Sequence, residues 1–223
     1  MNFPEKASQE IEAVFFDFGG VLAEEGFKQG LMAIGAASKL EPQKFFEIAE
    51  RAIYATGYIV GKASETDYWN AIRKETGIKI SDFDMRTEIL NRFKLRPWML
   101  RTVDRLRFKG YFVAMLSDQT NWLDELDARS HFCGRFDAVF NSYHLGNGKR
   151  DISVFSDVAS ILGVSPESCL LIDDNPGNIA RASSLEYKTI LFSDRDSFFQ
   201  ELTMLEVFSE EDLKGIFSDD ETG

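Results

Sequence analysis

The chain has 223 residues, 44% hydrophobic and 28% charged, which is enough apolar material for one globular core and a modest insertion. Its 25 basic and 37 acidic residues give a formal charge of -12. That balance argues against a non-specific nucleic-acid or anionic-membrane surface, but not against an anionic substrate met by a few local cations. The two cysteines, Cys133 and Cys169, are expected to be free thiols in a reducing compartment.

The N-terminal run Met1-Asn2-Phe3-Pro4-Glu5-Lys6 lacks the basic patch and apolar core of a leader, and no apolar run approaches bilayer length. The expectation is a cytoplasmic protein without a membrane partner. Ile11 to Phe16 is β-branched and aromatic and stops near the Gly19-Gly20 turn, the pattern of a buried first strand. From Glu24 to Arg96 the texture turns helical. Gly30 to Ala36 is one apolar stretch, and Pro42 opens a helix carrying Phe45, Phe46, Ile48, Ala49, Ala52 and Ile53. Ser64 and Asp67 form a capping box ahead of Tyr68, Trp69, Ala71 and Ile72, and a short helix is expected over 87–93. Tyr54, Tyr58, Tyr68 and Trp69 are expected to serve packing more than substrate contact.

Pro97 starts a second helical stripe that runs to Gly110. Strands are expected over 111–116, 136–140, 169–172 and 187–192, with helices around 121–126, 152–162 and 179–182 between them. Strands alternating with helices imply a parallel sheet covered on both faces. The expected fold is therefore a Rossmann-like three-layer α/β/α core with an inserted α-helical cap. Residues 1–23 and 97–223 make the core and 24–96 the cap, with an acidic tail from Ser209 whose last residues, Asp219-Asp220-Glu221-Thr222-Gly223, fray.

Two strand ends carry carboxylates. Asp17 follows Val14-Phe15-Phe16, and Asp173-Asp174 follows Cys169-Leu170-Leu171-Ile172. A parallel sheet brings such ends together at its carboxyl edge, where they can share a hard cation. Asp17 is either a nucleophile, able to form an acyl-phosphate, or a metal-binding or structural aspartate. The adjacent carboxylates of Asp173 and Asp174 repel unless a cation or donor intervenes, and magnesium suits that demand. Asp174 is the expected direct ligand, Asp173 orients water, Lys149 or a loop amide, and Asn178 fixes the turn. Ser117 can donate to a phosphoryl oxygen, and Lys149 in Gly146-Asn147-Gly148-Lys149-Arg150-Asp151 can offset accumulating charge. Asp118 is a loop-capping residue with no assigned chemistry, and Arg150 is expected to face solvent. His131 and His144 are too isolated for a recognisable metal or hydrolase constellation.

Taken in order, Phe16-Asp17-Phe18-Gly19-Gly20-Val21-Leu22, Met115-Leu116-Ser117-Asp118, Gly148-Lys149-Arg150-Asp151 and Leu171-Ile172-Asp173-Asp174-Asn175 resemble the haloacid-dehalogenase-like hydrolase superfamily, in the branch with a helical cap after the first strand. The resemblance covers roughly residues 11–195. It implies Asp17 as nucleophile, Ser117 as phosphate donor, Lys149 as charge clamp, and Asp173 as helper. It implies Mg2+ held by Asp17, Asp174 and the Gly19 backbone carbonyl. The implied activity is a magnesium-dependent phosphatase acting on a small phosphate monoester, a sugar phosphate being one candidate. The assembly would be a monomer or homodimer, with substrate choice set by residues 27–92.

The sequence departs from the family pattern twice. Gly19 stands where most phosphatases of the superfamily carry a second aspartate for proton transfer, so slow or atypical acid catalysis is expected. Arg150 replaces the usual proline after the motif lysine. Two alternatives stay open: a phosphate- or protein-binding module with little catalysis, and a metal-independent 2-haloacid dehalogenase. For the latter, Arg51 and Arg92 are nominal carboxylate or halide binders, though exposed helix charge explains them more simply.

Overall fold

The computed structural model describes residues 11–217, so the N-terminal segment Met1–Lys6 and the tail end Asp219–Gly223 lie outside the described residues. Five short strands form one parallel sheet: β1 (Ala13–Phe16), β2 (Phe112–Ser117), β3 (Ala138–Asn141), β4 (Cys169–Asp173) and β5 (Lys188–Leu191). Their spatial order is β3-β2-β1-β4-β5. The chain builds outward from β1 on one side, then returns to build outward on the other. The reversal falls between β1 and β4, and a crevice opens at the carboxyl ends of the strands flanking such a switch point.

Side-chain alternation explains the three layers. Val14 and Phe16 of β1, Val113 and Met115 of β2, and Leu170 and Ile172 of β4 enter one core cluster. Ala13 and Phe15, Ala114 and Leu116, and Cys169 and Leu171 enter the other. A strand with period two and apolar residues at every position must be covered on both faces. Helices α5 (Pro97–Phe108), α6 (Trp122–Ser130), α10 (Arg195–Met204) and α11 (Glu210–Phe217) contribute to the first cluster, and α8 (Ser153–Leu162) and α9 (Pro176–Ser183) to the second. A single turn, α7 (Ser142–Leu145), follows β3.

Between β1 and α5 the chain makes four cap helices: α1 (Gly26–Ala37), α2 (Pro42–Thr56), α3 (Glu65–Thr76) and α4 (Asp82–Leu90). The Ser64–Asp67 capping box forms as expected. The helix expected over 87–93 instead starts at Asp82, because the Ser81 hydroxyl caps it by accepting from the Asp84 amide at 3.1 Å. Phe93 then lies beyond the helix and packs on Phe18, ring centres 5.4 Å apart. The segments entering and leaving the cap are paired: Glu24 donates to the Lys94 carbonyl at 2.9 Å, and Arg96 to the Leu22 carbonyl at 2.9 Å. An aromatic cluster also joins cap to core, with Trp122 of α6 lying 5.8 Å from both Tyr58 and Trp69. Tyr58, Tyr68 and Trp69 are thus packing residues, as anticipated. The two cysteines are free. No helix among the described residues is long and apolar enough to cross a membrane.

Candidate active site

Asp17 leaves β1 with its amide bonded to the Ile172 carbonyl at 2.9 Å, which sets the ends of β1 and β4 side by side. Three carboxylates meet there. Asp17, Asp173 and Asp174 each place an oxygen within 4.8 Å of the other two. Like charges at that range need a cation or a proton between them. Lys149 supplies one cation: its Nζ lies 2.9 Å from Asp17 Oδ1 and 2.6 Å from Asp173 Oδ2, and its side chain is only 1% exposed. The polar loop of the sequence therefore delivers a buried ammonium, not a surface one.

Each partner of Lys149 is itself anchored. Asp173 is fully buried and accepts from the Asn175 amide at 2.8 Å and from Asn178 Nδ2 at 3.1 Å on both oxygens. Asn178 thus holds the Asp173 carboxylate as well as the turn. Ser117, at the end of β2, donates its hydroxyl to Asp17 Oδ1 at 2.8 Å. Asp118, given no chemistry from sequence, accepts the Lys149 amide at 2.8 Å and so pins the loop that carries the lysine. Arg181 of α9 bonds the Lys149 carbonyl and Asn178 Oδ1, both at 2.6 Å.

The electrostatics follow from this crowding. Burial is the largest influence on Asp17 and pushes its carboxyl up to about 7 against the pull of Lys149, with Asp173 and Asp174 acting in the same direction as burial. Burial alone would lower the Lys149 ammonium, but Asp17, Asp173 and Asp118 outweigh it and hold it above the ordinary lysine range. Asp174, more exposed, is raised by burial and by Asp173.

A divalent ion would answer this surplus of negative charge, and the donor set fits one. Asp17 and Asp174 offer hard oxygen ligands, and the Gly19 carbonyl lies two residues on from Asp17. Gly20 shapes the same corner. It has a φ of 82°, and a Cβ built on it falls 2.0 Å from Asp174 Oδ2, so only glycine lets the loop pass this close to the carboxylate. Arg96 holds that loop from the far end of the cap, donating to the Gly20 carbonyl at 2.5 Å and the Val21 carbonyl at 2.7 Å.

Asp17 and Asp174 open into a cavity of about 310 Å³ between core and cap, while Asp173 lies buried behind them. Cap residues Phe27, Phe46 and Tyr54 line it, together with Gln119, Thr120 and Arg150 from the core. Two expectations are extended by the structure. Tyr54 belongs to the cavity wall, because its helix α2 lies over the strand ends. Arg150, although its side chain is 56% exposed, lines the cavity and stacks its guanidinium 3.2 Å from the centre of the Tyr54 ring, with Glu50 3.6 Å away.

Arg51 and Arg92 pair with Glu75 and Glu88 and line no part of this cavity. His144 pairs with Asp124, and neither histidine lines it. Glu25 does. It stands at the N-terminus of α1, its Oε1 accepting the Lys28 amide at 2.9 Å, and its Oε2 lies 3.3 Å from where a Cβ on Gly19 would stand. Burial, with help from the Asp174 charge, raises its carboxyl above the usual glutamate range. The sequence signalled Glu25 only as one of two acidic residues before a helix.

Comparison with known proteins agrees with this geometry. A family model described as haloacid dehalogenase-like hydrolase matches residues 11–184. Over 68 residues the chain is 34% identical to a drimenol cyclase of Aspergillus calidoustus, a match covering 30% of this chain but only 13% of that protein. It is 25% identical over 182 residues to beta-phosphoglucomutase of Bacillus subtilis, covering 78% of this chain and 80% of the relative. Its fold matches a crystal structure of a HAD family enzyme from Bacteroides thetaiotaomicron in complex with magnesium and inorganic phosphate. There the TM-score is 0.64 and the identity 20%, covering 85% of this chain and 99% of the other. The chain belongs to the haloacid dehalogenase-like hydrolase family, in the form with a helical cap inserted after the first strand.

Proposed function

We propose that the protein is a magnesium-dependent phosphatase of small phosphate monoesters, sugar phosphates among them, working through an aspartyl-phosphate on Asp17. The observation that carries this reading is the position of Asp17. One carboxylate oxygen is held by Lys149 Nζ at 2.9 Å and Ser117 Oγ at 2.8 Å, beside Asp174 in the cavity lining. A carboxylate oriented in this way is prepared to attack phosphorus in line with a departing alkoxide.

Asp17 makes the bond to phosphorus. Lys149 and the Ser117 hydroxyl then stabilise charge on the transferring group, and Asp173 keeps Lys149 in place through its 2.6 Å contact. Asp17, Asp174 and the Gly19 carbonyl would hold Mg2+, which when bound neutralises phosphoryl charge and orients the group. The fold-matched enzyme complexed with magnesium and phosphate supports that assignment. Residues 24–96 act as the cap and, among the described residues, 11–23 and 97–217 as the core, with the paired segments at Glu24–Lys94 and Leu22–Arg96 as the hinge that admits substrate and excludes bulk water. The beta-phosphoglucomutase relative supports a sugar phosphate as the substrate class. Tyr54, Arg150 and Gln119 in the wall offer contacts to its hydroxyls.

The test is a panel of phosphate monoesters, including glucose phosphates, assayed for phosphate release with and without magnesium. The expected result is metal-dependent release that Asp17→Asn abolishes. Turnover surviving in Asp17→Asn, or chloride release from a 2-haloacid without metal, would refute the reading.

A further inference from the structure

Hydrolysis by this route leaves a proton to be placed. When the phosphorus–oxygen bond breaks, an alkyl leaving group departs as a strongly basic alkoxide unless an acid meets it. Five carboxyl side chains line the cavity: Asp17, Glu25, Glu50, Asp118 and Asp174. Asp17 is the nucleophile of the proposed reaction, and Asp174 belongs to the metal-binding set. Asp118 has an oxygen committed to the Lys149 amide at 2.8 Å. Glu50 sits at the rim, its side chain 43% exposed and 3.6 Å from Arg150.

Glu25 is differently placed. The Lys28 amide fixes its Oε1, and its Oε2 stands 3.3 Å from the Cβ position of Gly19, two residues along the chain from the nucleophile. The carboxyl of a longer side chain, arriving from the start of the cap, thus fills the space that a side chain at residue 19 would enter. Phe93 closes that space on another side, its Cε1 3.4 Å from the same position.

We propose that Glu25 is the catalytic acid and base of this site, standing in space where residue 19 contributes no side chain. The assignment rests on the phosphatase reading above. In the first step Asp17 bonds to phosphorus, the ester P–O bond breaks with its electron pair on the leaving oxygen, and that oxygen takes the Glu25 proton to leave as an alcohol. In the second, water attacks phosphorus and gives a proton to Glu25 as the Asp17–phosphorus bond breaks. Inorganic phosphate leaves, with Asp17 again a carboxylate and Glu25 again protonated.

The test compares p-nitrophenyl phosphate with n-butyl phosphate by rapid mixing in magnesium. Glu25→Gln keeps the acceptor for the Lys28 amide and nearly the same volume, so the α1 cap survives the change. An aryl leaving group needs no proton, so Glu25→Gln should release up to one equivalent of nitrophenol in a burst slowed less than ~10-fold. Its steady-state turnover, and all turnover of the butyl ester, should fall ~100-fold or more. Glu25→Ala/Gly19→Asp, which clears the space and puts a carboxyl back into it, should recover at least ~10-fold of the butyl activity lost in Glu25→Ala.

Equal slowing of the nitrophenol burst and of butyl ester turnover, wild-type turnover in Glu25→Gln, or a raised magnesium requirement without leaving-group dependence would overturn the role of Glu25. An active wild type, an inactive Asp17→Asn and a normal Glu25→Gln would remove Glu25 alone. A wild type silent toward both esters, or an active Asp17→Asn, would remove the phosphatase reading and this assignment together.

Discussion

Replacing Lys149 with methionine removes the ammonium that lies 2.9 Å from Asp17 and 2.6 Å from Asp173 while roughly preserving the volume of the buried stem. At an effective dielectric of ~20 each contact contributes about 6 kcal/mol of attraction before desolvation is counted. Most of that offsets the burial of three charges, so the net loss expected on removing one partner is about 3–5 kcal/mol. The loss should depend on pH. Asp17 stands at about 7 with Lys149 present, and without its largest counter-influence it rises further. A carboxyl raised in the folded state favours folding below its unfolded value, and that contribution disappears as pH climbs through the folded value. The variant's deficit should therefore be smallest at pH ~5, where Asp17 is protonated in both folded proteins, and should grow as pH rises past ~7 toward the variant's higher folded value. Urea unfolding in the presence of a chelator measures it. A deficit under ~1 kcal/mol at pH ~8, or the same deficit at pH ~5 as at pH ~8, would refute the idea that Lys149 holds together a strained carboxylate cluster.

Gly20→Ala tests the cradle around Asp174. With φ at 82° and the added Cβ 2.0 Å from Asp174 Oδ2, the carboxylate must move, and magnesium affinity measured by calorimetry should fall ~10–100-fold. Unchanged affinity would show that Asp174 is not held for the metal. Away from the site, Asp212 of α11 accepts from Arg105 at 2.7 Å and Lys109 at 2.6 Å. Burial alone would raise its carboxyl, but bonds from Lys109, Ser209 and Arg105 hold it well below the usual range. Such a depressed group stabilises the fold above the ordinary aspartate range and loses that contribution as pH falls. Asp212→Asn should therefore cost about 1–2 kcal/mol at pH 7, with the two basic partners part-exposed. The difference should shrink as pH falls below ~4 in thermal melts, without loss of turnover at pH 7. A pH-independent difference would contradict this account.

Particular residues show where sequence reasoning reached and where it stopped. The five strands were legible because a strand covered on both faces needs consecutive apolar residues, as in Phe15-Phe16 and Leu170-Leu171-Ile172. The Ser64 cap was legible because it is settled within four residues. Helix α10 was not anticipated. It starts at an Asp194 cap that accepts from Ser197 at 3.0 Å, and it is held by Phe198, Phe199 and Leu202 in a core whose other side chains come from distant segments. The start of α4 was missed although Ser81 caps it within four residues, because its first turn shows no apolar stripe, with Phe83 largely exposed.

Within the site, the acidic strand ends and the loop lysine announced themselves by residue type and by their places after apolar runs, and Asp17, Asp173 and Asp174 do converge. Asp118, Arg181, Tyr54 and Glu25 carried no comparable signal, since aspartates in turns, aromatics on helices and acids at helix starts are everywhere. Local periodicity and turn chemistry are short-range properties of the chain, so the sequence alone determined the strands, most helices, and the presence of carboxylates at strand ends. The order in which strands lie side by side, and how a cap folds back over them, depend on contacts between residues that are far apart in the chain. Only tertiary structure decided that Lys149 is buried between two carboxylates, and that Glu25 reaches the space left empty at Gly19.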